Sequence, residues 1–353
     1  LRYTSEQRDA TIDIFNGAGE AATRRGNTVN PANTPTAAQP LVTFTNPGQW
    51  WLRSSVTATT PYAPFVSSPS KTWNRWTWDI TPQYKLSDDI LIYAKHARGF
   101  RSGTFQASAT QSNQFDPNGI EPEDLYSYEG GLKSQWWDKK LRLNLSAFYY
   151  DYKKAQVLVQ GVPIVTGGTT AFAARLINAQ GWSRGIELDL SARPTTNLRI
   201  DAALGTLDTE YTDNFIPNNP NTGQLFGKGN EFTRAPKFSG TVAVEYRIPT
   251  DFGDVTLQSD WSYRTSQWFT VNAQEGDPSK LDYLVSQYQR QKGYALGNAR
   301  ITAAFGDRYE VSAYVRNLTD ETYKILTFGT QQGARLTTYG DPRNFGVTLA
   351  AKF

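Results

Sequence analysis

The connections along this chain alternate between very short and long, and no other feature constrains the fold as much. Five short reversals are legible at Leu86-Ser-Asp-Asp89, Asp138-Lys-Lys140, Pro194-Thr-Thr-Asn197, Thr250-Asp-Phe-Gly-Asp254 and Gly306-Asp-Arg308, all built from residues that favour tight turns. Long polar connections fall near 10–71, 102–123, 160–176, 212–232, 270–290 and 326–340. A soluble β-sandwich scatters its loop lengths. An up-and-down barrel through a membrane keeps short turns on one side and long loops on the other.

The segments between connections have two unlike faces. Val255, Leu257, Trp261 and Tyr263 oppose Thr256, Gln258, Asp260, Ser262 and Arg264, while Phe238, Val242, Val244 and Tyr246 oppose Ser239, Thr241, Glu245 and Arg247. The same period of two separates Leu141, Leu143 and Leu145 from Arg142, Asn144 and Ser146, and Ile186, Leu188 and Leu190 from Glu187, Asp189 and Ser191. Trp76, Trp78, Ile80 and Tyr84 likewise oppose Arg75, Thr77, Asp79 and Gln83, whereas 90–100 shows no preferred face. The chain ends on a strand that sets Phe345, Val347, Leu349, Ala351 and the terminal Phe353 against Asn344, Gly346, Thr348, Ala350 and Lys352.

Counting such segments predicts about twelve strands, an even number that puts both ends of the chain on the short-turn side. The expected fold class is all-β, a transmembrane antiparallel up-and-down β-barrel. Its charged face would line a wet lumen, with Arg75, Asp79, Asp189, Asp260, Arg264 and Arg316 as lumen-lining candidates.

Composition agrees. The 353 residues are 39% hydrophobic with a mean hydropathy of −0.54, and no stretch approaches the roughly 18 to 20 apolar residues of a membrane-spanning helix. Aromatics reach 13%, with 10 Trp, 19 Tyr and 18 Phe, enough to supply interfacial girdles around a barrel. The 36 basic and 33 acidic side chains are interspersed, so no nucleic-acid stripe emerges. With no Cys there is no disulfide framework, thiolate metal site or cysteine nucleophile. The start at Leu1-Arg-Tyr-Thr reads as mid-strand, as in a piece of something longer, and the absence of Met has no physical explanation.

Catalytic chemistry finds little support. The one histidine, His96, lies in a strand pattern and no Gly-x-Ser-x-Gly elbow surrounds a candidate serine. The acidic groups Asp208, Glu210 and Asp213, and Glu187 and Asp189, lack calcium-loop spacing, and Gly167-Gly168 and Gly227-Lys-Gly229 lack a phosphate-binding lysine and helix. The expectation is no enzyme, no metal and no cofactor. Trp50, Trp51, Arg101 and Phe105 in the long connections are candidates to grip a ligand by stacking and charge. For Trp73, Trp268 and Phe269, beside strand ends, an outer aromatic girdle is the favoured reading.

Several stretches resemble the TonB-dependent receptor family of outer-membrane transporters. Asn317-Leu-Thr-Asp-Glu-Thr-Tyr323, followed by Tyr339-Gly-Asp-Pro-Arg-Asn-Phe345 and Phe353, is similar to that family's carboxy-terminal signature. Leu1-Arg-Tyr-Thr, Ala97-Arg-Gly-Phe-Arg-Ser-Gly103, Glu123-Asp-Leu-Tyr-Ser-Tyr-Glu-Gly-Gly-Leu-Lys133 and Ser183-Arg-Gly-Ile-Glu-Leu-Asp-Leu190 add weaker matches in order.

The resemblance implies a barrel of about 22 strands filled by an amino-terminal plug. An energised inner-membrane protein would pull on that region to import a large scarce nutrient such as a ferric siderophore. Residues 1–353 would then be the carboxy-terminal part of the barrel, without plug, coupling segment or first strands. Expected partners are outer-membrane lipid and lipopolysaccharide, the energy-coupling protein, the barrel-assembly machinery reading Phe353 as its signal, and a surface lipoprotein, with no nucleic acid. Alternatives are a self-contained twelve-stranded passive porin, an outer-membrane barrel enzyme, or a secreted glycan-binding sandwich. An open half-barrel would leave unpaired backbone edges in lipid, which cost several kcal/mol per group.

Overall fold

The computed structural model describes residues 1–9, 12–16, 63–67, 70–105, 118–166, 169–215, 227–271, 288–306, 308–329 and 335–352. Thirteen strands form one antiparallel sheet. In chain order they are β1 (Arg2–Asp9), β2 (Ser70–Ile80), β3 (Gln83–Ser87), β4 (Ile90–Arg101), β5 (Glu123–Trp136), β6 (Leu141–Thr166) and β7 (Thr169–Ala192). They continue as β8 (Leu198–Tyr211), β9 (Phe238–Thr250), β10 (Gly253–Arg264), β11 (Tyr294–Phe305), β12 (Tyr309–Arg316) and β13 (Asn344–Ala351). Spatial order follows chain order, with β2 and β3 both beside β4, and among the described residues β1 and β13 each pair on one side alone.

Thirteen rather than twelve strands arise at Pro82. Its nitrogen carries no hydrogen for the ladder, yet its carbonyl still accepts Ala94 N–H at 3.1 Å, and the β2 and β3 registers on β4 are continuous across the break.

Four of the five expected short reversals are described in full at one end of the sheet, and in the fifth, between Phe305 and Tyr309, Asp307 lies outside the described residues. The β5–β6 turn places Trp137, Asp138 and Lys139 at φ of 54°, 52° and 66°. In the β7–β8 turn the Thr195 hydroxyl accepts the N–H groups of Asn197 and Leu198 at 3.3 and 3.1 Å. Gly253, at φ 142°, opens β10 where a Cβ would run into the Ala304 carbonyl.

At the other end the expected long connection at 160–176 is corrected. β6 and β7 stay paired through it, reaching 26 and 24 residues, with the register shifting between Tyr152 and Ala155 and between Val159 and Val162. A tilted crossing uses about 9–11 residues, so this ribbon projects far beyond the bilayer. Three short two-stranded ladders also lie within or beside predicted long connections. They pair Ile12–Asn16 with Ala63–Ser67, Gln267–Trp268 with Arg290–Gln291, and Lys324–Gly329 with Arg335–Tyr339.

The register aligns residues of like polarity into rows. One row runs Val347, Ala313, Ile301, Leu257, Tyr246 and Leu198 across six strands, and the row beside it runs Thr348, Ser312, Thr302, Thr256 and Arg247. The apolar face is bare in the isolated chain, with Phe345, Val347 and Leu349 exposed at 82%, 69% and 75%. Such a contiguous surface belongs against lipid rather than water.

Cross-strand aromatics explain several sheet glycines. The rings of Tyr93, Trp261 and Tyr314 lie over their partners Gly131, Gly297 and Gly346, where any Cβ would collide. The sheet is a single layer, so the buried apolar cluster sits in its overhang. Val157, Val159, Ala179, Tyr211 and Val271 pack there with Tyr152, Ile177, Phe215 and Phe232.

Candidate functional site

The polar face of the sheet carries charge that lipid could not accommodate. A cleft of about 430 Å³ on it is lined by Arg199, Asp201, Glu245, Asp260, Arg300 and Arg316. Each group has a local partner. Arg199 donates to Asp201 at 2.6 Å, Gln258 to Glu245 at 2.8 Å, Asn298 to Asp260 at 2.6 Å and Arg300 to Ser312 at 2.6 Å, while Arg316 lies 5.4 Å from the Tyr314 ring.

Of the six lumen candidates, the fold brings Asp260 and Arg316 into this one cleft. Arg264 stacks 5.5 Å from the Tyr294 ring, Asp189 sits in register between Asn144 and Ala203, and Asp79 lies 3.0 Å from Lys95 Nζ. Arg75 reaches Asp124, which it shares with Arg98.

A second polar site lies at the outer ends of β2, β4, β5 and β6. Glu121 bridges Lys71 at 2.6 Å and Lys154 at 3.8 Å. The Lys71 hydrogen bond, aided by the charges of Lys71, Lys154 and Arg75, holds its carboxyl below the ordinary range. Asn178 accepts Glu121 N–H at 2.9 Å and donates to the Glu121 and Lys154 carbonyls at 2.9 and 2.7 Å. Gln156 donates to Ser102 O at 2.7 Å, and its own N–H donates to Glu123 Oε2 at 2.8 Å.

Sequence reasoning missed Lys71, Glu121, Gln156 and Asn178. Their partners are up to 57 residues away, and nothing periodic marks them.

Arg101 is exposed at the end of β4. Phe105 is buried, its ring 6.1 Å from that of Trp73 and packed where a Gly119 side chain would stand. Trp50, Trp51 and Phe353 lie outside the described residues.

The girdle reading of Trp73, Trp268 and Phe269 is corrected. All three are buried beneath the outer connections, with Arg290 5.1 Å from the Trp268 ring. The outer belt is formed by strand residues instead, in a chain of ring contacts from Trp78 through His96, Tyr128 and Tyr149 to Trp182. His96 is thus a belt residue stacked on Tyr128, with Nδ1 3.2 Å from Ser127 O.

The last outer connection is tied by Asn317, at φ 53°. Its Oδ1 accepts Glu321 N–H at 2.8 Å, and its Nδ2 donates to Glu321 O at 2.9 Å and Asp341 O at 3.2 Å. Tyr323 covers Gly340, and Asp320 accepts Arg343 N–H at 3.2 Å. The motif segments 317–323 and 339–345 are therefore two halves of one knot. Lys324 leaves it to donate to Tyr288 O at 3.0 Å, and burial pulls its ammonium below the ordinary value. Among the described residues no group of His, Cys, Asp and Glu is arranged to hold a metal. The chemistry on offer is ionic and stacking recognition along a polar wall and its outer rim.

Known proteins resemble this chain in sequence and fold. The family described as TonB dependent receptor-like, beta-barrel matches residues 43–318. The ferric-pyoverdine M114 receptor PbuA of Pseudomonas sp. strain M114 is 24% identical over 282 residues, 78% of this chain and 30% of that receptor. The metal-pseudopaline receptor CntO of Pseudomonas aeruginosa is 25% identical over 256 residues, 69% of this chain and 31% of that protein. The chain thus spans less than a third of the length of either curated relative. The crystal structure of the ferric yersiniabactin uptake receptor FyuA from Yersinia pestis matches with a TM-score of 0.61 at 17% identity, over 84% of this chain and 40% of that one. With the family match covering most of its length, this chain belongs to the TonB-dependent receptors, β-barrel proteins of the bacterial outer membrane.

Proposed function

We propose that this chain is the carboxy-terminal portion of the barrel of a receptor that binds a scarce, large nutrient at its outer loops and imports it by energy-coupled transport. A ferric siderophore is the first cargo to test. The observation that carries the reading is the sheet with one apolar face and one charged, cleft-bearing face. Such a sheet suits a barrel wall with lipid on one side and a wide wet lumen on the other. The names of PbuA and FyuA support ferric-siderophore cargo. In this reading an amino-terminal plug fills the lumen, and an inner-membrane energy-coupling protein engages that region.

A second reading, a metal chelate other than iron, is favoured by the name of CntO and by the copper transporter OprC, matched with a TM-score of 0.55. The test is radiolabelled uptake by cells expressing the whole receptor in a strain lacking other receptors, with a panel of ferric siderophores and of zinc, nickel and copper chelates. Saturable, energy-dependent uptake of a ferric siderophore is expected. Uptake confined to another metal selects the second reading. Diffusion of small sugars that needs no energy source would mean a passive pore.

A further inference from the structure

Among the described residues six buried side-chain nitrogen or oxygen atoms have no hydrogen-bonding partner, and five are Trp73 Nε1, Arg75 Nε, Arg98 Nε, Ser102 Oγ and Gln156 Oε1. Native interiors rarely leave such groups unmatched. These five residues adjoin one another. The Trp73 ring packs against Gly103, next to Ser102, and Ser102 O takes the Gln156 amide at 2.7 Å. Arg75 and Arg98 converge on one Asp124 oxygen at 3.3 and 3.0 Å, the former close enough for an ion pair but with its Nε–H not aimed as a hydrogen bond.

The unmatched set is strongly biased. Trp73 Nε1 and the two arginine Nε atoms can only donate, Ser102 Oγ can donate or accept, and Gln156 Oε1 alone can only accept. The charge is biased the same way. Arg75, Arg98, Lys71 and Lys154 stand around Asp124, Glu121 and Glu123, four cations to three carboxylates. Trp73 and Ser102 are only 3% and 8% exposed, and their unmatched donors are shielded from bulk water. Bridging waters would satisfy donors and acceptors alike, whereas converging N–H groups beside surplus positive charge match an oxyanion.

We propose that Trp73, Arg75, Arg98 and Ser102 form a subsite for a phosphate-class oxyanion, separate from the cleft on the polar face. Arg98 is wedged between the Trp78 and Tyr126 rings at 5.5 and 5.2 Å, which sets the subsite at the depth of the outer aromatic belt, where lipid headgroups lie. The same chemistry serves a phosphorylated glycolipid headgroup of the outer leaflet or a phosphate carried in solution. The site is independent of which nutrient is imported.

The test uses the whole receptor, purified from outer membranes in detergent, with Trp73→Phe and Ser102→Ala. These variants delete a donor while keeping the ring and the Asp124 ion pairs. Calorimetric titration with inorganic phosphate should show one site, weakened roughly ten- to a hundredfold by either substitution, the effect of removing one hydrogen bond to a charged group. Competition then separates the sources. Displacement of phosphate by lipopolysaccharide, but not by lipopolysaccharide stripped of its lipid A phosphates, assigns a lipid headgroup. Phosphate binding that neither preparation displaces assigns a soluble ligand. If phosphate does not bind, or binds equally to wild type and both variants, the subsite does not exist.

Discussion

The sheet and the outer rim of this protein are held together by opposite means. In the sheet the side chains of the apolar row are exposed or half-buried in the isolated chain, and order comes from rows: Val347 through Leu198 all apolar, Thr348 through Arg247 all polar. At the rim single side chains replace the ladder, as Asn317 does for three backbone groups and Asn178 for another three. A row asks only that each member keep its polarity class. A knot asks for one residue at one place, so substitutions should obey different rules in the two regions.

The largest effect should come from breaking a row. Leu257→Arg puts a charge in the middle of the apolar row and should cost about 2–4 kcal/mol, as arginine does at a bilayer midplane. Thr256→Arg, one position away on the polar face, should change stability by no more than about 0.5 kcal/mol. Urea unfolding from phospholipid vesicles measures both. Equal costs would mean that the apolar row does not face lipid.

The next test asks whether anything in the sheet depends on shape rather than class. Gly297→Ala drives a Cβ to 2.6 Å from the Trp261 ring and should cost about 1–3 kcal/mol, as overpacking does. Gly99→Ala meets nothing within 4 Å and should be neutral or slightly stabilising. If the two behave alike in the same unfolding assay, the aromatic-over-glycine pairs are incidental.

Asn317→Ala probes the rim. It should cost about 1–2 kcal/mol by stranding the Glu321 N–H and the Glu321 and Asp341 carbonyls, and the damage should stay local. Limited proteolysis should cut within 317–343 several times faster while vesicle unfolding of the barrel hardly moves. A barrel-wide loss would show that the knot and the sheet form one cooperative unit.

The same contrast explains what could be read from the residues alone. Alternation between two media marks β9, β10 and β13 and their faces, and turn-forming residues mark all five reversals. Once β6 and β7 leave the bilayer that alternation has no cause. Gly161, Pro163 and Gly167-Gly168 then read as a loop although backbone pairing persists to Thr166 and Thr169. Trp268 and Phe269 read as girdle residues yet are buried, because a strand-end aromatic can turn outward to headgroups or inward beneath a loop, and local sequence does not choose. The candidates Asp260 and Arg316 meet because the register brings them together. Gln156, Asn178 and Glu121 meet through chain separations that no short window encodes.

The smallest expected effect is electrostatic and belongs to the rim alone. Lys71 holds the Glu121 carboxyl below its ordinary value of 4.5, so near that pH the unfolded segment binds more protons than the folded one. The stabilisation is therefore complete above about pH 4.5 and is lost as pH falls through the lowered value. Glu121 remains over a third exposed, and solvent screening keeps the contribution under about 1 kcal/mol. Hydrogen exchange over 118–123, followed from pH 6 down to 3 and corrected for intrinsic rates, should show protection fading only toward the acidic end. Lys71→Met should flatten that dependence and leave the exchange of β9 and β10 unchanged. If wild type and variant fade together, the acid sensitivity resides elsewhere, and the rim is held by Asn178 and Gln156 without help from the ion pair.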